Sequence, residues 1–172
     1  MRRQILGVTL IELLVTLLIL SISFSLAIPG FQGMMRRNRI ATQTNEMLSA
    51  INLARSEAGK MGQTVSVQAT DDSDSDSEFG LGFCVVAGNP GDCTGTLVRS
   101  FDALTEGTTL NSVEDVSSIQ FDPLGALGGG VTSLSLDLCY PEAAGRRIFI
   151  NIIGRSKSHK PDDPDTSKRP EC

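Results

Sequence analysis

The sequence is short of the residues on which most enzyme chemistry depends. Its one histidine, His159, lies in a polar tail, so a Ser/His/Asp or Cys/His site would have to be built around a mobile residue. There is no Gly-x-x-x-x-Gly-Lys phosphate loop and no His-Glu-x-x-His motif. None of the four cysteines stands in a Cys-x-x-Cys or Cys/His zinc spacing. These gaps argue against an enzyme and leave no reason to expect a cofactor or a structural metal. Basic residues are missing from Val8 to Ile28. They are also missing from Met61 to Glu142 except for Arg99, over a span that holds 13 Asp and Glu. The overall charge of −5 in 172 residues is therefore unevenly spread. The expected head is acidic, with one basic region at Arg146, Arg147, Arg155, Lys157 and Lys160, where no acid intervenes.

What the sequence does have is a long apolar run near its start. Val8 to Ile28 is uncharged but for Glu12. A helix of that length rises roughly 30 Å, the thickness of a bilayer's hydrocarbon core. An acid at the centre of such a span costs on the order of 2.5 to 3.5 kcal/mol, and less near an end. A carboxylate placed there needs a partner.

The run Gly7-Val8-Thr9-Leu10-Ile11-Glu12-Leu13-Leu14 resembles the type IV prepilin signal. That resemblance implies cleavage after Gly7 by a prepilin peptidase and N-methylation of Val8, where the family usually has Phe or Met. It also implies an assembly role for Glu12, facing the freed amine of a neighbouring subunit, which supplies the missing partner. Two other readings are possible: a secretory signal cut after the small-x-small triplet Ser25-Leu26-Ala27, and a plain membrane anchor. Neither accounts for Glu12 or for the glycine just before the run.

Pro29 and Gly30 interrupt the helix without having to end it. From Phe31 to about Ala58, residues Ile40, Met47, Leu48, Ile51, Ala54 and Ala58 recur every three or four positions, an apolar stripe suited to packing on a sheet. Arg36, Arg37 and Arg39 just beyond the apolar run read as interfacial snorkelling or as contacts to lipid phosphates or neighbouring subunits. Gly59 and Gly62 are expected to stop the helix, and Gln63 to Gln68 to form a half-buried strand. Asp71 to Glu78 is a solvated acidic loop. Asp72, Asp74 and Asp76 imitate the opening of a calcium loop, but Ser77 and Phe83 stand where Gly and Glu are required. Further strands are expected at Leu81–Val86, Leu97–Phe101, Ser118–Phe121, Ser133–Leu138 and Arg147–Ile153. Gly128-Gly129-Gly130 reads as a flexible hairpin turn.

Phe121-Asp122-Pro123-Leu124-Gly125, followed by Gly145-Arg146-Arg147-Ile148 and Gly154-Arg155, is similar to the pattern closing the head domain in the GspH/FimT family of minor pilins and pseudopilins. The expected architecture is α+β with a type IV pilin fold. Residues 1–7 are leader, 8–28 a membrane-spanning helix half, 29–60 an amphipathic helix half, and 61–172 a β-rich antiparallel head with disulfides. Cysteines after a membrane segment suit an oxidising compartment. Of the three possible pairings, Cys84 with Cys93 and Cys139 with Cys172 is favoured. Some minor pilins of this kind carry a C-terminal disulfide loop, so the resemblance supports the second pair.

The resemblance implies partners: prepilin peptidase, other minor pilins and the major pilin or pseudopilins, and inner-membrane lipid. It places the chain in the bacterial inner membrane as a single-pass protein with a periplasmic head, then in a pilus or pseudopilus. Two function classes follow. One is a structural subunit that primes or caps a type IV pilus, or its type II secretion counterpart. The other is a DNA-binding module, because Gly154-Arg155-Ser156-Lys157 is similar to a Gly-Arg-x-Arg element of DNA-binding members. Against DNA stand Asp162, Asp163 and Asp165 close by, and the lack of a nearby aromatic for base stacking.

Overall fold

The computed structural model describes residues 8–71, 79–88, 91–105, 107–141 and 143–172. Helix α1, Leu10–Met61, continues through Pro29 and Gly30. It starts where the Thr9 hydroxyl accepts a hydrogen bond from the Glu12 amide, satisfying one of the orphan donors of the first turn. It ends at Gly62, whose φ of 64° is the left-handed conformation that glycine adopts without a Cβ penalty. Gly59, also expected as a stop, lies inside α1 with the Pro123 carbonyl nearby.

Two compact units meet between Arg36 and Arg37. In the first, the large apolar side chains from Val8 to Met35 whose burial is described are all exposed. By length and composition this part of α1 can cross a membrane. Three of its hydroxyls need no external partner, since Thr16, Ser21 and Ser23 donate to the carbonyls of Leu13, Leu18 and Ile19.

The second unit holds the remainder of α1 and eight strands among the described residues: β1 Val65–Ala69, β2 Phe83–Ala87, β3 Thr96–Phe101, β4 Thr109–Ser112, β5 Ser118–Phe121, β6 Ser133–Tyr140, β7 Ala143–Asn151 and β8 Ser156–His159. They form two four-stranded antiparallel sheets, β3-β2-β1-β5 and β4-β6-β7-β8. On α1, Ile40, Met47, Ala50, Ile51, Ala54 and Ala58 belong to one core with Val65, Val67, Phe83, Val85 and Ile119 of the first sheet and Leu110, Leu134, Leu136, Ile148 and Ile150 of the second. Each buried Ile or Met contributes about 1.5–3 kcal/mol. The three alanines, one per turn, let strands approach the helix closely.

Polar contacts pin the helix near each end of this stripe. Arg39 donates to the Tyr140 hydroxyl at 3.0 Å and its guanidinium lies over the ring, 5.3 Å from the centroid. It is therefore a packing residue of the head, although its place in the sequence suggested a lipid interface. Arg55 donates to the Gly125 carbonyl at 2.9 Å. Gly125 belongs to a tight loop in which the Asp122 carboxylate accepts from the amides of Leu124 and Ala126. The β7–β8 turn abuts that loop: Leu127 donates its amide to Ile152 O, and a Cβ on Gly154 would strike the Gly125 carbonyl. The Phe121–Gly125 and Gly154-Arg155 segments thus meet over Arg55, joining both sheets and the helix.

Several strands differ from expectation. Strand β1 is buried on both faces, not one. Ser66 donates to Gly88 O and Gln68 to the Ser118 hydroxyl, so its polar residues are buried with partners. Strand β7 starts at Ala143 and ends at Asn151, leaving Ile152 and Ile153 exposed in the turn that Gly154 closes. Strands β4 and β8 escaped sequence reading because they are short edges, β4 with one aliphatic residue and β8 with none. Gly128–Gly130 is no hairpin: it lies in the connection from β5 to β6, strands of different sheets, and Gly128 donates to Gln120 O. The calcium-like residues Asp72, Asp74 and Asp76 lie outside the described residues.

Both favoured disulfides are formed, Cys84–Cys93 and Cys139–Cys172. The second closes a 33-residue separation, for which the chain-entropy model gives about 3 to 4 kcal/mol. Cys172→Ser should lower stability in urea by that order and lower the unfolding midpoint, with a steeper slope because the unfolded chain is freed to expand; an unaltered midpoint would show that the bridge adds nothing. Gly154→Ala tests the junction over Arg55. Gly130 shares its positive φ, 76° against 72°, but has open space around it. Gly130→Ala should cost about 1 kcal/mol for backbone strain alone, and Gly154→Ala clearly more, because a backbone carbonyl blocks the methyl. Equal losses in thermal unfolding would refute the close approach.

Candidate functional site

Two regions carry the residues singled out from sequence. The first is the amino end. Gly7 lies outside the described residues, and Val8 is exposed. Glu12 sits in the first turn of α1. Thr9 and Glu12 have the Thr-x-x-Glu spacing of a capping box, a signal that sequence reading passed over. A carboxylate in the first turn gains about 0.3–1 kcal/mol from the helix dipole. That offsets only part of the cost of an acid in hydrocarbon, and the Glu12 carboxylate has no partner among the described residues. The case for an external partner survives the local explanation.

The second region is the basic cluster, and strand geometry divides it. Side chains alternate between faces along a strand. In the β6–β7–β8 register, Arg147 pairs with Asp137 and His159, Lys157 with Phe149, and Arg146 with Leu138. Arg147 and Lys157 therefore share the outer face, while Arg146 lies on the opposite face, that of the core residues Ile148 and Ile150. Arg155 is exposed in the β7–β8 turn, where its amide donates to the Asn151 side chain. Five cations close in sequence do not form one patch.

Arg147 is not at the surface at all. The residue is 5% exposed, and its guanidinium donates to both oxygens of Asp137 at 2.7 and 2.6 Å. These bonds hold its pKa above the ordinary arginine value. The C-terminal tail closes over the pair. Arg147 also donates to Ser167 O, the Glu171 amide donates to Asp137, and Cys172 is tied to Cys139. Such a bidentate pair is geometrically specific, and removing one partner would strand a buried charge at a cost of about 3–5 kcal/mol.

The rest of the tail is similarly braced. His159 is part-buried in β8, not in a mobile tail as expected, with Nδ1 2.8 Å from Asp163 Oδ2. That hydrogen bond holds the Asp163 carboxyl below the usual range. Asp165 is pulled down to about 2, first by Lys168 and then by the Ser167 hydroxyl and amide it caps. Among the described residues no group of His, Cys, Asp or Glu is arranged to hold a metal ion.

Comparison with known proteins agrees with this geometry. The family model of type II transport protein GspH matches residues 43–154, and that of the prokaryotic N-terminal methylation motif matches residues 2–28. The fold is similar to the type IV minor pilin FimU of Pseudomonas aeruginosa. Against its crystal structure in space group P21 the TM-score is 0.65 at 23% identity, covering 80% of this chain and 97% of that one. For the P65 form the values are 0.61, 22%, 76% and 97%. No curated protein sequence matches. The GspH match spans the core stripe of α1 from Met47 onward and strands β1 to β7 up to the Gly154 turn, and the methylation motif spans the apolar run. The chain therefore belongs to the GspH family of minor pilins and pseudopilins.

Proposed function

We propose that the chain is a non-enzymatic minor pilin that primes or caps a type IV pilus. In this reading prepilin peptidase cuts after Gly7, Val8 is methylated, and the apolar part of α1 holds the subunit in the inner membrane with its head in the periplasm until assembly. The observation that carries the proposal is Glu12. It is an acid in the first turn of a helix whose large apolar side chains, wherever their burial is described, are exposed along the run, and it needs a cation that no other described residue offers. The freed amine of an adjacent subunit is such a cation. Pairing the two in hydrocarbon favours the assembled stem over the isolated one.

A second reading, a minor pseudopilin of type II secretion, is favoured by the description of the matching family model; the likeness to FimU favours the pilus. Co-purification with minor pilins or with pseudopilins separates them. DNA binding has less support, because Arg147 is committed to Asp137 and Arg146 lies on the other face from Lys157.

Glu12→Ala tests the assembly contact. Cleavage and membrane insertion should persist, since an apolar residue is cheaper in lipid. Incorporation into sheared filaments should fall by about tenfold or more, because the neighbour's amine is left unpaired. Normal incorporation would show that Glu12 is not the contact.

A further inference from the structure

The cations on the helix side of the second sheet are not paired off as Arg147 is. Arg37 at the start of the second unit, Arg146 of β7 and Lys160 just after β8 line one groove of about 330 Å³, with Ile40, Ala144, Gly145 and Pro161 as its apolar lining and Asp162 as its single acid. The volume falls within the range of small-ligand sites, about 300–1,000 Å³. Among the described residues, none of the three cations makes an ion pair or side-chain hydrogen bond. The groove thus has a surplus of two positive charges on a mostly acidic head. Arg39, two residues on, is occupied by Tyr140, and Arg147 by Asp137, so these three cations stand apart as available.

We propose that this groove binds the phosphate of an anionic phospholipid headgroup. Three donors from three elements can surround a phosphate's oxygens, the guanidinium of Arg146 being suited to bidentate contact. The apolar lining suits the glycerol end of a headgroup better than a solvated ion. The source is set by the chain itself: Arg37 stands nine residues after Ile28, where the apolar run ends, and Phe31, Met34 and Met35 between them are exposed. A basic pocket in such a juxtamembrane position is a headgroup site by its chemistry. The inference rests on the membrane-anchored reading but not on filament assembly. Before assembly the bound lipid would hold the head at the bilayer surface.

Native mass spectrometry of the full-length chain in detergent measures this, with phosphatidylglycerol and phosphatidylcholine of identical acyl chains as probes and a short DNA duplex as competitor. Phosphatidylglycerol should be retained over phosphatidylcholine. Each cation near an anionic surface is worth on the order of a fivefold gain in affinity, so Arg146→Gln with Lys160→Gln should weaken retention roughly 25-fold. Arg37→Gln alone, on a helix whose fold does not depend on it, should weaken it about fivefold. Arg155→Gln with Lys157→Gln, outside the groove, should leave retention unchanged. Equal retention of the two lipids, unaltered retention in the Arg37→Gln variant, or displacement of the lipid by the duplex would overturn the proposal, the last pointing to nucleic acid instead. Lipid retention by a chain that never enters filaments would contradict the function proposed above and leave this inference standing.

Discussion

The burial of a single stripe on the second half of α1 decides the arrangement of the strands after it. Ile40, Met47, Ile51 and the alanines at 50, 54 and 58 have to be covered, and two four-stranded sheets do so from different strands of a continuous core. The second sheet's edges, β4 and β8, carry almost no apolar side chains. The joint where Gly125, Gly154 and Arg55 meet is the consequence of fitting both sheets to one rod. It explains why glycine is required there: backbone passes against backbone, and a methyl has no room.

Charge in the head is used in two ways. Arg147 and Asp137 are desolvated together, which is costly unless every donor and acceptor is met; Ser167 and Glu171 of the tail meet them. The pair and the Cys139–Cys172 bridge thereby fix a polar tail that has little apolar surface of its own. Arg37, Arg146 and Lys160 face open space in contrast. A run of basic residues is thus sorted by strand alternation into structural and available members.

Much of this could be read from sequence. The apolar run is unbroken, the helix stripe and Ser133–Leu138 are periodic, and all three correspond to observed elements. Gly62 was legible as a helix stop, whereas Gly59 was not distinguishable from it, because either glycine can adopt the left-handed conformation and only Gly62 does so. The edges β4 and β8 left no hydrophobic signal. The fate of Arg147 was illegible for a different reason: its partner Asp137 is ten residues away in sequence and meets it only through the β6–β7 register. The first-turn position of Glu12 was visible as Thr-x-x-Glu, yet the long apolar run around it masked the capping pattern.

The central proposal is that the first seven residues are a leader and that the segment from Val8 into helix α1 is the assembling stem. The most direct measurement is the intact mass and amino-terminal peptide of the protein isolated from the membranes of the bacterium that makes it. The account predicts a chain that starts at N-methylated Val8. A chain starting at Ile28, as a secretory signal would leave, or one retaining Met1 in the presence of active prepilin peptidase, would contradict it.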